Sequence, residues 1–275
     1  MIIDSDNYEA SGIEVLRFPG GEFHAKIGKR YPEVPAHIFA KIRTWDDFGK
    51  FLVVADAFKR QSVPVYCFMP YLPGARQDRA QDGTALTSAI YASAIRGVVD
   101  HLTYVDPHSN AAEQIFSFGT AYRTSMPFNF VTSLVTERPD VILAPDKGAT
   151  HRAGVVANLL DPEIPVYFCT KKRDFNTGKL LGFDLPAEIP SGKVLIVDDI
   201  CDGGGTFLGI GSSLLERRDG HHLSLYVTHG IFSQGLDRLM DVFHNIYTTN
   251  SWNQQTHERL KVHDLIPNYI GGLRP

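Results

Sequence analysis

Two hydrophobic spacings recur along the chain. From Trp45 to Gln61 the apolar positions Trp45, Phe48, Leu52, Ala55 and Phe58 fall three or four residues apart, which predicts an amphipathic helix with one core-facing stripe. Elsewhere the apolar residues come in short runs bounded by Pro, Gly, Asp or Asn, at 14–18, 23–27, 63–69, 102–105, 141–144, 166–169, 194–197, 223–228 and 246–250. Runs of that length, rich in β-branched residues, predict buried strands. Helical segments fall between them: 84–95, with Leu86, Ile90 and Ile95 expected inside, a helix ending at Leu160, another over 207–218, and a short one over 233–240. Alternation of this kind predicts an α/β chain with mainly parallel sheet flanked by helices, and the strand–loop–helix theme repeats after the middle of the chain, so the boundaries 1–135 and 136–275 are expected if it forms two domains. The connection is expected within 119–139, where no periodicity is clear before 130–135.

Composition narrows the class. A length of 275 residues suffices for two modest α/β domains or one large one, and 43% apolar with 21% charged residues is ordinary for a globular protein. A formal charge of −4 argues against a general nucleic-acid partner. Cys67, Cys169 and Cys201 are widely spaced in apolar surroundings, with neither a zinc spacing nor a disulfide framework, so a reducing cytoplasm is expected. Cys201 is read as a packed small side chain rather than a reactive thiol. The first ten residues carry acids where a secretory signal needs a basic and then an apolar stretch. No apolar run approaches the roughly 20 residues of a membrane span, so no membrane partner is expected.

The stretch richest in chemistry is KVLIVDDICDGGGTF, from Lys193 to Phe207. Its apolar run ends in Asp198 and Asp199, at the strand end where open α/β sheets bind ligands. Asp202, Gly203, Gly204, Gly205 and Thr206 follow and lead into a helix. Glycines let backbone N–H groups close on an anion at a helix start. Two carboxylates beside such a nest would repel a bare phosphate but suit sugar hydroxyls. The pattern therefore reads as a site for a phosphorylated ribose, with a Gly-rich turn as the plainer account. No Lys-Ser/Thr pair follows the glycines, so the loop is not a Walker loop.

VLIVDDICDGGGTF resembles the ribose-phosphate loop of the type I phosphoribosyltransferase fold, a family that includes enzymes using phosphoribosyl diphosphate and the enzyme that makes it. PYLPGARQDR, from Pro70 to Arg79, is similar to the ATP-binding segment of the ribose-phosphate diphosphokinases, which simple phosphoribosyltransferases lack. The resemblance is collinear from Phe18 to about Asn250 and implies two phosphoribosyltransferase-like domains. The N-terminal one would bind ATP through Arg76, Gln77, Asp78 and Arg79, and the C-terminal one would bind the ribose phosphate. It further implies that Phe18 and Glu22, on a hairpin turn, complete a neighbouring subunit's nucleotide site, so that the chain works as a homo-oligomer. Asp106-Pro107-His108 would bring a Mg²⁺ ligand, His108, and Asp146 would touch a second metal or the ribose. An N-cap is the competing account of Asp146, and Arg152 is expected on a helix surface. Lys171 and Arg173 resemble the catalytic flap placed over the transferred phosphates.

The implied reaction is transfer of the diphosphoryl group of ATP to the C1 hydroxyl of ribose 5-phosphate, aided by Mg²⁺. Two departures from the family pattern, Gly20 and Gly203, leave ADP-ribose as an alternative acceptor feeding NAD salvage. A phosphoribosyltransferase and a non-catalytic regulatory homologue are the readings from other classes.

Overall fold

The computed structural model describes residues 2–28, 34–117, 122–126, 128–173, 180–217, 220–252 and 255–272. The chain divides into two compact units, one comprising the segment up to Met126 together with the residues from Ile266 on, the other Pro127–Leu265. This differs from a single division at 135 and 136, because the last helix groups with the first unit.

In the first unit, strands β1 (Ile2–Asp4), β4 (Ala36–Phe39), β5 (Val65–Phe68), β6 (His101–Val105) and β7 (Tyr122–Met126) form one sheet in that order, and every pairing is parallel. Strands β2 (Ile13–Arg17) and β3 (Phe23–Ile27) form a separate antiparallel hairpin. Helix α1 (Trp45–Arg60) begins at a capping box: Thr44 accepts from the Asp47 N–H, and Asp47 accepts from the Thr44 N–H. Its buried face is Phe48, Phe51, Val54, Ala55 and Phe58. Trp45, expected on that stripe, is 59% exposed and stacks at 4.5 Å on Tyr91 of α2 (Thr87–Arg96). Helix α2 starts at Thr87 rather than Thr84, because the Thr84 hydroxyl closes a turn with Gln81, accepting from its N–H and donating to its carbonyl. Ile90, expected inside, is exposed, whereas Ile95 is buried. A short helix, α3 (Asn110–Ile115), follows β6.

The expected connection over 119–139 contains β7, the edge strand of this sheet, and the first turns of the second unit. Its Tyr-Arg-Thr-Ser-Met sequence lacks the apolar run by which the other strands were legible.

The second unit opens with α4 (Val131–Leu134), β8 (Val141–Ala144) and α5 (Thr150–Leu160). Strand β9 (Val166–Phe168) precedes a two-stranded antiparallel ribbon of β10 (Thr170–Arg173) and β11 (Leu180–Asp184). Then come β12 (Lys193–Cys201), α6 (Gly205–Glu216), β13 (His222–Gly230), α7 (Asp237–Met240), β14 (Asn245–Thr249) and β15 (Leu260–His263). The six-stranded sheet runs β15-β14-β13-β12-β8-β9, again wholly parallel. Burial along β8 and over Val194–Val197 of β12 is complete, as continuous apolar runs require. Helix α7 is shorter than expected because Phe232 and Gly235 stand at φ 49° and 76°, outside helical space. The terminal helix α8 (Ile266–Gly272) is tied to the first unit by Tyr269, which stacks at 4.7 Å on Phe68 and whose hydroxyl lies 2.9 Å from His37 Nδ1. Among the described residues no helix is long and apolar enough to cross a membrane.

Candidate active site

Strand order locates the first candidate. From β8 the chain places β9 on one side and β12 on the other, so the order reverses between β8 and β12. The loops leaving the carboxyl ends of two such strands part in opposite directions and open a crevice for a ligand. The residues emerging there are Asp146 and its loop after β8, and the segment from Asp198 to Thr206 at the end of β12.

The glycines of that segment differ in what they do. Gly204 is the N-cap of α6 with φ 77°, and a Cβ on it would come within 3.1 Å of the Leu239 side chain. Left-handed backbone and a close neighbour both demand glycine. A Cβ on Gly203 would meet nothing closer than 3.5 Å, and one on Gly205 would meet nothing within 4 Å. Helix α6 has no side-chain cap at its start, so an anion at this helix N-terminus would meet its dipole. The loop is braced from β13: the N–H groups of Ile231 and Phe232 donate to the Cys201 carbonyl, and that of Ser233 donates to the Asp202 carbonyl. Behind that brace lies a buried polar network in which Thr249 and Ser251 donate to the Thr228 carbonyl and His229 Nδ1 meets Ser251 Oγ at 2.9 Å. These residues lie on β13, on β14 and just after it, where the sequence marks strands but not the polar contacts they make.

Asp198 and Asp199 are largely buried, and the Asp199 N–H donates to Asp198 Oδ1. Burial pushes the Asp198 carboxyl well above the usual carboxylate range, the neighbouring Asp199 pushes it the same way, and Arg152 opposes both. Arg152 is not on a helix surface. Its side chain is only 11% exposed, with Nη1 3.4 Å from Asp198 Oδ1 and 3.9 Å from Asp199 Oδ1. Sequence reasoning missed it because helical position alone does not reveal which way α5 faces. Its one available signal was the spacing of six residues from Asp146, which puts it near the same crevice. Burial holds the Cys201 thiol up at about 12, with Asp202 and Asp198 adding to the shift, so it is a packed, protonated side chain.

Asp146 accepts from the Ala149 N–H at 3.2 Å and caps the short turn that leads into α5. The N-cap account of this residue is therefore observed. Lys171 and Arg173 lie on β10, where Lys171 pairs with Phe183 and Arg173 with Leu180. Their side chains and residues 174–179 lie outside the described set. Phe183 is anchored on α6, since a Cβ on Gly209 would sit 3.0 Å from its ring. The ribbon carrying both basic residues is thus packed on the helix that the glycine loop begins.

The second candidate lies at the carboxyl edge of the first sheet. After β5 the chain turns through Gly74, at φ 70° and tight against Tyr91 and Ser88, into Arg76, Gln77, Asp78 and Arg79. The Gln77 carbonyl accepts from both the N–H and the hydroxyl of Ser88, which fixes the loop to the start of α2. Arg76, Gln77 and Arg79 are exposed. After β6, Asp106 is buried with φ 43°, an uncommon conformation for a non-glycine residue. His108 is exposed, and Ser109 next to it caps α3. The Ser109 hydroxyl donates to Asp78, so the two loops, some thirty residues apart in sequence, are brought together. Phe18 and Glu22 stand exposed at the tip of the β2–β3 hairpin, and the Phe18 N–H donates to the Glu22 carbonyl.

A separate cavity of about 300 Å³ opens at the opposite, amino edge of the second sheet, lined among others by Lys193, His222, His244 and Tyr247. None of the expected site residues reaches it.

Comparison with known proteins agrees with this geometry. Residues 130–259 match the family described as "Phosphoribosyl transferase domain". The chain is 26% identical over 263 residues to a ribose-phosphate pyrophosphokinase of Mycoplasma genitalium, covering 90% of this chain and 78% of that protein. It is 28% identical to a protein of the same name from Sulfurisphaera tokodaii, over 93% and 89% of the two chains. The crystal structure of phosphoribosylpyrophosphate synthetase from Mycobacterium smegmatis superposes with a TM-score of 0.83 at 20% identity, covering 100% of this chain and 97% of that one, which shows a shared fold.

Proposed function

We propose that the chain is a ribose-phosphate pyrophosphokinase of phosphoribosyltransferase fold, a reading supported by the match over residues 130–259 and by the likeness to the two named relatives, and that it transfers the diphosphoryl group of ATP to the C1 hydroxyl of ribose 5-phosphate. The sugar oxygen attacks the β-phosphorus, the bond between that phosphorus and the oxygen it shares with the α-phosphorus breaks, AMP leaves, and the hydroxyl proton is lost to solvent. The observation that carries this reading is the bond from Ser109 to Asp78. It joins the Arg76–Arg79 loop to the loop of His108 and makes a second polar edge, beyond the one a sugar-phosphate site needs. Arg76 and Arg79 suit a polyphosphate, because guanidinium groups pair with phosphate oxygens in a forked geometry.

In this reading Asp198 and Asp199 accept from sugar hydroxyls. The N–H groups of 203–206 and the Thr206 hydroxyl hold the 5-phosphate at the start of α6. Lys171 and Arg173 neutralise charge on the transferring phosphoryl groups.

Mg²⁺ fits the donors present. Asp146 offers the carboxylate oxygen such an ion prefers, while His108, on the other unit, would at most serve a separate ion held mainly by water and substrate phosphates. Among the described residues no three His, Cys, Asp or Glu side chains form a ready-made cage, and Mg²⁺ commonly takes one or two protein ligands together with water and substrate phosphates. When bound, it would offset phosphate charge. The exposed Phe18 and Glu22 support a nucleotide site completed by a second copy of the chain, and therefore a homo-oligomer. A monodisperse, fully active monomer in light scattering would refute that part.

The testing experiment is ATP-to-AMP conversion with Mg²⁺ in three parallel arms, containing ribose 5-phosphate, ADP-ribose or no sugar. AMP formation dependent on ribose 5-phosphate is the expected result. Preference for ADP-ribose would instead make the open space beside Gly203 a specificity feature.

A further inference from the structure

Among the described residues Arg152 is a largely buried cation that faces both acids at the end of β12. The side chains of Arg152, Asp198 and Asp199 are only 11%, 20% and 6% exposed. A guanidinium stays protonated under all ordinary conditions, whereas two buried carboxylates in contact resist ionising together. The protonation state matters to the chemistry. An ionised carboxylate only accepts hydrogen bonds, while a protonated one offers a donor in the place where a sugar hydroxyl must donate. The ionisable groups near this strand end on the neighbouring elements include Asp146 and Lys147 before α5, His151 on α5, Cys201 and Asp202 at the end of β12, and His229 on β13, while Lys193 of β12 and His222 of β13 lie at the opposite end of the sheet. Of these, Asp146 and Asp202 add negative charge, and Cys201 stays neutral, its thiol held up at about 12.

We infer that Arg152 is a positioning residue of the sugar-phosphate subsite: from α5 its guanidinium, set against both acids, favours their ionised form against burial and orients them as acceptors for the ribose hydroxyls. The inference rests on the proposed diphosphoryl transfer and names the residue that prepares its acceptor site. Arg152 does not touch the reacting atoms. Its ion pair with β12 also links the loop of Asp146, at the start of α5, to the glycine loop, so both banks of the crevice share one charge.

The test compares wild type, Arg152→Gln and Arg152→Lys, reading KM for ribose 5-phosphate, KM for ATP and the pH profile of kcat/KM for the sugar. In Arg152→Gln the KM for ribose 5-phosphate rises about tenfold or more, as loss of charge-assisted hydrogen bonding implies. The acid limb of its pH profile moves up by about one unit, and the KM for ATP stays within about twofold. Arg152→Lys keeps the charge and loses the fork, so its acid limb stays near that of wild type while the sugar KM rises a few-fold. A Gln variant with wild-type sugar KM and pH profile overturns the inference. So does an equal rise in both KM values, which would mark a purely structural role. Should Arg152→Gln fail to fold by circular dichroism, Arg152→Lys decides alone, and an unchanged sugar KM overturns the inference. A wild-type chain inert toward ribose 5-phosphate overturns the proposed function and this inference together, whereas an active wild type with indifferent variants overturns the inference alone.

Discussion

The two sheets present polar residues at the same kind of edge, the carboxyl ends of parallel strands, and build that edge differently. In the second sheet the strand order reverses between β8 and β12, and topology itself supplies the crevice. Its polar residues are partly buried there and Asp199 fully so, with Arg152 set against Asp198 and Asp199. In the first sheet the order β1-β4-β5-β6-β7 follows the chain without reversal. No crevice comes from topology, and the edge is made by its loops: Gly74 turned tightly against α2, Asp106 held at φ 43°, and Ser109 bonded to Asp78. In the proposed reading, the strand-end crevice would hold a defined sugar at a pre-formed site, and the exposed arginines on tethered loops would suit a flexible polyphosphate.

That contrast can be broken or sharpened by substitution. The largest effect is expected at the ribbon packed on α6. Lys171→Ala should lower kcat by about a hundredfold or more with a much smaller change in KM for the sugar, as loss of charge stabilisation in the transition state requires. Steady-state kinetics that leave kcat intact would remove Lys171 from the catalytic role.

Next in size is the glycine loop. Gly204→Ala places a Cβ at a left-handed position beside Leu239 and should cost about 1–3 kcal/mol in urea unfolding. Gly203→Ala, with ordinary contacts only, should change stability by less than about 0.5 kcal/mol. Equal costs at the two positions would show that backbone conformation does not set the loop.

A smaller effect concerns pH. Burial and Asp199 raise the Asp198 pKa above its unfolded value, so the folded chain holds that proton more tightly than the unfolded chain does. The resulting stability is fully present below the ordinary carboxylate range and is lost as pH rises through the elevated value. Asp198→Asn cannot ionise. Without substrate it should therefore melt a few degrees above wild type near neutral pH, with the gap closing toward about pH 3. The same variant should bind ribose 5-phosphate more weakly. A gap that widens on acidification would contradict the assignment.

In the first sheet, Asp106→Ala should be less stable than Asp106→Asn by about 1 kcal/mol, since asparagine tolerates left-handed backbone better. The smallest effect is at the amino edge of the second sheet. There Lys193 pairs with Glu137 at 3.1 Å and both side chains are more than half exposed. Lys193→Ala should shift stability by less than about 0.5 kcal/mol and leave turnover unchanged.

Much of the site on the second sheet was legible in the chain. The apolar run ending at Asp198, followed by Gly203 to Thr206, encodes a buried strand, a tight turn and a helix start in consecutive residues, and β12 and α6 realise them. Strand β8, Val141–Ala144, was legible for the same reason, being buried on both faces. What sequence did not reveal depends on contacts between distant segments. Arg152 could be placed only once α5 was seen packed against β12. β7 carries no apolar signature, because a polar edge strand is defined by its neighbour β6 and not by its own residues. Trp45 and Ile90 have core-like side chains at helical spacing, yet both are more than half exposed, a choice made by packing alone.

The central claim is tested most directly by following the phosphorus of ATP. With Mg²⁺ and ribose 5-phosphate, phosphorus NMR should show AMP and a diphosphate ester on the sugar C1 appearing one for one, and neither without the sugar. Formation of ADP, or no AMP in the presence of ribose 5-phosphate, would contradict the account.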